Sequence, residues 1–186
     1  MSSADKNAAM AIFDGSDIDP LFRQVLIAAG ENGVLVAETR GPEGWPTEPA
    51  QVREELGAAG FIVTEEKTDE LEAAWQQIRE YLSGTRDRFD LEIDFSLVGG
   101  EFQQLVLEAC ARVYHGETAS YAQLATRIGH PGAARAVGSA LKNNPVALII
   151  PCHRIVRENG SSGEYASGPD VKEYLLGLEK PVPVAG

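Results

Sequence analysis

The sequence predicts an α+β protein in two parts: a small strand-rich α/β segment over residues 1–96 and a mainly helical segment over residues 97–186. Three observations predict it. Short β-branched and apolar runs crowd the first part, apolar stripes at helical spacing fill the second, and Gly99-Gly100 marks the change of texture between them. With 186 residues, 44% hydrophobic and 24% charged, the composition excludes a wholly disordered chain and allows a sizeable core.

The elements follow in order. Met1 to Met10 is small and polar, lacks the apolar centre of a signal peptide, and reads as a mobile start. Leu21–Ala29 and Val34–Thr39 read as strands, and Gly30-Glu31-Asn32-Gly33 between them is hairpin punctuation. Gly41 to Pro49, with Trp45, reads as a loop. Val52–Ala59 is a short helix and Phe61–Glu65 a strand. Over Asp69–Leu82 the residues Leu71, Ala74, Trp75, Ile78 and Leu82 recur at spacings of three and four, one face of a helix. Phe89, Leu91, Ile93 and Phe95 alternate with the two-residue period of a half-buried strand.

Beyond residue 97, Phe102, Leu105, Val106, Ala109, Cys110 and Val113 form an apolar helix stripe, which makes Cys110 a core thiol. Ser120 is placed to cap a helix over Tyr121–Ile128. Gly129-His130-Pro131-Gly132 is a turn, and Ala133–Asn143 a second helix. Two short helices across a four-residue turn fit a helix-turn-helix, and equally a helical hairpin with no role in nucleic-acid binding.

Several function classes are absent from the pattern. No apolar run approaches the ~20 residues of a bilayer span, so the chain reads as soluble and intracellular, cytoplasmic or, in a eukaryote, nuclear. Two cysteines are too few for a disulfide scaffold. There is no GxxxxGK[ST] loop and no HExxH pair, and His115, His130 and His153 are dispersed.

The formal net charge is −12, which taken whole argues against a polyanionic partner. By parts the picture changes: residues 1–100 hold 8 bases and 20 acids, whereas residues 101–186 hold 8 of each. Within 101–157, Arg112, Arg127, Arg135, Lys142, Arg154 and Arg157 face only Glu101, Glu108 and Glu117. Charges beyond ~8 Å are largely screened at physiological salt, so a locally basic segment can meet a phosphate backbone. Ordinary scatter accounts for the same numbers, and the motifs must decide.

Ala147-Leu148-Ile149-Ile150 reads as a buried strand ending at Pro151, and Cys152-His153-Arg154 follow directly. A thiolate is the nucleophilic form of cysteine, and cationic or hydrogen-bonding neighbours lower its pKa from about 8.5. A packed thiol beside a solvated histidine fits the tripeptide as well.

The wider context separates the two. Ile150-Pro151-Cys152-His153-Arg154-Ile155-Val156, preceded by Ala134-Arg135-Ala136-Val137-Gly138 and Asn144-Pro145, resembles the active-site signature of the O6-alkylguanine-DNA alkyltransferases, also called methylated-DNA–protein-cysteine methyltransferases. The resemblance runs from about Phe102 to Glu179. It implies a winged helix-turn-helix in the second part and, more loosely, a ribonuclease-H-like companion domain in the first. It also implies an alkyl group moved irreversibly from guanine O6 in double-stranded DNA to Cys152, one base per chain, by a monomer without cofactor. By the same resemblance His153 activates Cys152 through a water, Glu179 orients the imidazole, and Asn144 ties the helix-turn-helix to the active-site segment. Tyr121 assists rotation of the nucleotide, Arg135 enters the duplex, and Tyr165 approaches O6. Gly138, Lys142 and Arg154 belong to the DNA-facing set, and Ile155 and Ala166 line the pocket with Cys152. Extrusion of the base is needed because a side chain cannot reach an atom inside the stack. Plainer roles exist for each: Tyr121 as a core aromatic, Arg135 as a solvated helix residue, Glu179 as a helix cap, Tyr165 as loop packing.

The sequence departs from the family in places. Ser167-Gly168-Pro169 stands where a Gly-Gly pair is common, and Leu107 replaces a frequent aromatic. No cysteine precedes Cys110, so a cysteine-containing zinc site in the first part is not expected. Two other functions compete: a lesion-binding relative that transfers nothing, against which Cys152 argues, and a cysteine hydrolase, which leaves Tyr121, Arg135 and Asn144 without a role.

Overall fold

The structure, a computed structural model, describes residues 6–180. Its first strand, β1 (Lys6–Phe13), pairs antiparallel with β2 (Val25–Gly30), which pairs antiparallel with β3 (Gly33–Thr39). After helix α1 (Pro49–Ala58), β4 (Phe61–Thr64) returns parallel to β1, giving the sheet order β3-β2-β1-β4. The expectation of a mobile start is therefore corrected: residues 1–5 lie outside the described part, but Lys6–Met10 belongs to a central strand. Its Ala8, Ala9 and Met10 are buried. Small residues suit a strand covered on both faces, although alanine has little strand preference of its own.

The two faces of the sheet bury different sets. Ala8, Met10, Leu26, Ala28 and Leu35 pack with Val52 and Leu56 of α1. On the opposite face Ala9, Phe13, Val25, Ile27 and Ala29 meet helix α2 (Asp69–Leu82) through Leu71, Ala74, Trp75 and Ile78. The predicted α2 stripe is thus the buried one, and burying each of its large residues contributes ~1.5–3 kcal/mol. Thr68 caps α2 by accepting from Leu71 N, and Asp69, Glu70 and Glu72 oppose the helix dipole in its first turn.

Two predicted strands are corrected. Phe89–Phe95 forms no strand; Ile93 makes a single parallel bridge to Val34, held by Val34 N→Glu92 O (2.9 Å) and Asp94 N→Val34 O (3.0 Å). Pairing stops there because Asp94 turns its carboxylate to Ser96 N, starting a 3-10 turn over Phe95–Leu97. The next donor on that edge of β3, Ala37 N, bonds Pro145 O at 2.8 Å. The apolar run Ala147–Ile150 is buried but coils as turns, with Ile149 N and Ile150 N both bonded to Val146 O.

The α2 face of the core continues without a break into the second part. Helix α3 (Glu101–Ala111) contributes Val106, Leu107, Ala109 and Cys110, which confirms Cys110 as a core residue. The short β5 (Ala119–Ser120) leads into α4 (Tyr121–Arg127), and Ser120 with Gln123 forms a reciprocal capping box. After the turn at residues 128–133 comes α5 (Ala134–Lys142). A 3-10 turn at Cys152–Arg154 precedes β6 (Ile155–Val156), which pairs parallel with β5, and α6 (Pro169–Leu178) ends at Glu179. None of the helices among the described residues is long and apolar enough to cross a membrane.

Candidate active site

Asn144 organises the segment that the sequence read as a strand. Its side-chain oxygen accepts from Val146 N at 3.1 Å, which bends the chain into the coil seen at 145–150. Its Nδ2 donates to Ile150 O at 3.1 Å and faces Cys152 Sγ at 3.4 Å. Asn144 is 3% exposed and Cys152 6%, so the amide and the thiol meet away from water.

The 3-10 turn at Cys152–Arg154 decides where the neighbouring side chains go. An extended chain would send Cys152 and His153 to opposite sides; the turn instead buries all three residues in one region. His153 Nε2 lies 2.9 Å from Glu179 Oε1 and 3.1 Å from the Tyr81 hydroxyl, while Nδ1 is buried without a protein partner. The Tyr81 hydroxyl donates to Glu179 Oε1 at 2.5 Å.

Arg154 corrects an expectation. It was expected to face DNA, yet its Nε and Nη2 bond the Glu179 carboxylate at 2.8–3.1 Å and its Nη1 bonds Val113 O at 2.6 Å. The guanidinium is the internal counter-ion of Glu179, because a buried carboxylate needs a matched charge. Burial alone would raise the Glu179 pKa, but hydrogen bonds from His153 and Arg154 outweigh it and hold the carboxyl well below its usual range. Burial also lowers the His153 pKa, against the opposing pull of Glu179, so the imidazole is neutral near pH 7. At Cys152 burial raises the thiol pKa, while the Asn144 amide and the Lys172 ammonium pull it down. The resting group is a thiol.

Two residues of this network have no counterpart in the sequence reading. Tyr81 sits on the buried face of α2, three residues after Ile78, where a phenol needs a hydrogen-bond partner. Lys172 is fully buried on α6 and donates to Ile155 O at 2.7 Å; burial takes its pKa down to about 8. A lysine on an apolar helix face between Val171 and Leu175 was the available signal for it.

The other predicted residues fall into two groups. Tyr165 donates to Ala147 O at 3.1 Å and stands edge-on to His153, with ring centroids 6.4 Å apart. Ile155 is buried beside Cys152, Ala166 is half-buried, and Ser167 is buried against the backbone at Gly41. Tyr121 is half-buried, lying along Gly138 of α5 and under Gly163 of the following loop. Arg135 and Lys142 are exposed on α5, and neither side chain takes part in the hydrogen bonds of the thiol network. A surface groove of about 450 Å³ between β1 and α1, lined by Met10, Ile12 and Arg53, touches none of these groups. Among the described residues no cluster of His, Cys, Asp and Glu has the form of a metal site.

Comparison with known proteins bears on this arrangement directly. Residues 101–181 match the family described as 6-O-methylguanine DNA methyltransferase, DNA binding domain. Methylated-DNA–protein-cysteine methyltransferases of Mycolicibacterium paratuberculosis and Methanosarcina acetivorans are 45% and 44% identical over 107 and 106 residues. Those stretches are 58% and 57% of this chain, and 64% and 67% of the two relatives. A crystal structure of Mycobacterium tuberculosis OGT in complex with DNA extends the match to 92% of both chains, at 30% identity and a TM-score of 0.70. The chain belongs to the methylated-DNA–protein-cysteine methyltransferase family. The structure of the Mycobacterium tuberculosis O6-methylguanine methyltransferase, 31% identical with a TM-score of 0.73, covers 93% of each chain. The family likeness therefore includes the sheet, which the sequence motifs did not reach.

Proposed function

We propose that the protein repairs double-stranded DNA by moving an alkyl group from O6 of guanine to Cys152, as a monomer and once per chain. The observation that carries this reading is the buried Cys152 thiol held by Asn144 beside a neutral His153 whose Nδ1 is free to take a proton. The thiol proton passes to His153 Nδ1 through a water, Cys152 Sγ bonds to the alkyl carbon, and the carbon–O6 bond breaks. The departing guanine takes a proton from the Tyr121 hydroxyl, the phenolate so formed is reprotonated from solvent as His153 Nδ1 gives its proton back to solvent, and the cysteine is left as a thioether with no hydrolytic exit. Tyr165 faces O6, and the backbone of Ile155 and Ala166 walls the pocket.

The exposed arginine and lysine of α5 supply the approach to DNA. Arg135 occupies the space that the extruded nucleotide leaves, and Lys142 meets a phosphate; contacts of the second kind position without reading sequence. Arg154 serves this function indirectly, as the partner of Glu179.

Intact-protein mass after mixing with an O6-methylguanine duplex tests the reading. One added methyl, located to the Cys152 peptide and lost in Cys152→Ala, is the expected result. A methyl on Cys110, or full activity in Cys152→Ser, overturns it. Binding of the lesion with no added mass is the outcome expected of a relative that only marks damage.

A further inference from the structure

We propose that Tyr81, carried by α2 in the first part of the chain, is a positioning residue for His153: together with Glu179 it holds the imidazole as the tautomer protonated on Nε2, leaving Nδ1 as the basic nitrogen. The proposal rests on the repair reading for its kinetic consequence and on geometry alone for the tautomer.

Counting protons leads to it. The Glu179 carboxylate only accepts, and it takes Arg154 N–H donors, the Tyr81 hydroxyl at 2.5 Å and Gly116 N at 3.3 Å. The single Tyr81 proton is therefore committed to Glu179 Oε1. At 3.1 Å from His153 Nε2 the phenol oxygen can then only accept, as can Glu179 Oε1 at 2.9 Å. Both contacts require a proton on Nε2, shared between two oxygens. A neutral imidazole has one proton, so Nδ1 carries a lone pair.

Tyr81 is suited to the task because it is fixed. It is 1% exposed, its ring packs 5.2 Å from Phe89 and edge-on to His115, and α2 is locked to the sheet by its apolar face. Its hydroxyl joins residues 72 and 98 positions away in the chain. The charged and titratable groups around His153 are Glu179 and Lys172 from α6 and its end, Arg154 and Cys152 from its own turn, Tyr81 from α2, and Tyr165 from the loop before α6. Of these, only Glu179 and Tyr81 touch Nε2.

Nitrogen-15 NMR on protein labelled at its three histidines, with the Tyr81→Phe variant and pH–rate profiles for O6-benzylguanine, tests the proposal. In the unsubstituted protein His153 is expected as the neutral Nε2–H form. In Tyr81→Phe more of the Glu179 charge falls on the ring, so the imidazolium is favoured and the acid limb of the rate moves to higher pH. The rate near pH 7 should fall roughly tenfold, part of the hundred- to ten-thousand-fold that a placed general base supplies. A proton found on Nδ1 overturns the proposal, and so does a Tyr81→Phe protein with unchanged tautomer and unchanged profile. If Tyr81→Phe does not fold, a ring-fluorinated tyrosine at position 81, whose phenol oxygen is a weaker acceptor, replaces it, and an unmoved His153 spectrum with an unmoved pH–rate profile overturns the proposal. A chain that takes up no alkyl group overturns the repair reading and leaves the tautomer result standing.

Discussion

Each part of the chain buries one glutamate, and the two behave in opposite ways. Glu38, on β3, is 5% exposed and Glu179, after α6, is 4% exposed. Glu38 accepts only from Thr47 N and Thr47 Oγ1, at 3.3 and 3.4 Å. Burial dominates there, these bonds oppose it weakly, and its pKa is raised to about 7. Glu179 has a bidentate arginine, an imidazole N–H and a phenol, and it stays ionised far below the usual range. Partners, more than burial, set the charge of an interior carboxylate. The ionised glutamate sits where chemistry needs a fixed anion, and the titrating one sits on the edge strand β3 against Thr47.

The largest effect is expected from breaking the ionised site. Glu179→Ala leaves Arg154 buried without a counter-charge and Tyr81 without an acceptor. Removing one member of a buried pair costs about 3–5 kcal/mol, so urea unfolding at pH 7 should show a loss of that order. Alkyl uptake should fall with it, since His153 loses the group that fixes its ring. A loss below about 1 kcal/mol would mean that water replaces the carboxylate at no cost, and the contrast with Glu38 would fail.

Substituting the other glutamate should act in the opposite direction. Because the Glu38 pKa is raised on folding, the folded state binds the extra proton between pH 4.5 and about 7. Stability from this residue therefore declines as pH rises through that window. Glu38→Gln should remove this slope and stabilise the protein by about 1–3 kcal/mol at pH 8, with little change at pH 4. The shift at Glu179 has the reverse sign: its contribution is present above pH 4.5 and is lost as the solution becomes more acid. Unfolding free energies measured from pH 2 to 8 on the unsubstituted and Glu38→Gln proteins separate the two slopes, Glu38 acting above pH 4.5 and Glu179 below it.

This asymmetry explains what could be read in advance. The α2 stripe, the hairpin at Gly30–Gly33 and the Ser120 cap depend on residues within a few positions, and all three stand in the structure. The motif around Cys152 was legible because its residues are close in sequence. β1 was not, because alanines form a strand only when helices cover both faces. The run Ala147–Ile150 misled because one amide, Asn144, captures Val146 N and coils it. Arg154 looked like a DNA contact because sequence alone does not say that its counter-charge lies 25 residues onward. Tyr81 was the most distant partner, placed against His153 only by the docking of α2.

The smallest effect on stability, and the most selective on function, belongs to an exposed charge. Arg135 lies in α5 among Ala133, Ala134, Ala136 and Gly138, and it has no acid bound to it among the described residues. Removing a solvated side chain with no such partner changes stability by less than about 0.5 kcal/mol, in contrast to either glutamate. Small neighbours let the helix approach DNA closely while one long cation projects, and side chains inserted at a kinked step offset a few kcal/mol of unstacking with new contacts. Arg135→Ala is therefore expected to slow alkyl transfer from duplex DNA about ten- to a hundredfold, each ~1.4 kcal/mol of lost stabilisation being tenfold. Transfer from O6-benzylguanine, a free base with nothing to extrude, should change much less. Equal losses on both substrates would place Arg135 with the interior charges, as a support of the fold or the pocket, and would remove it from the DNA-facing set.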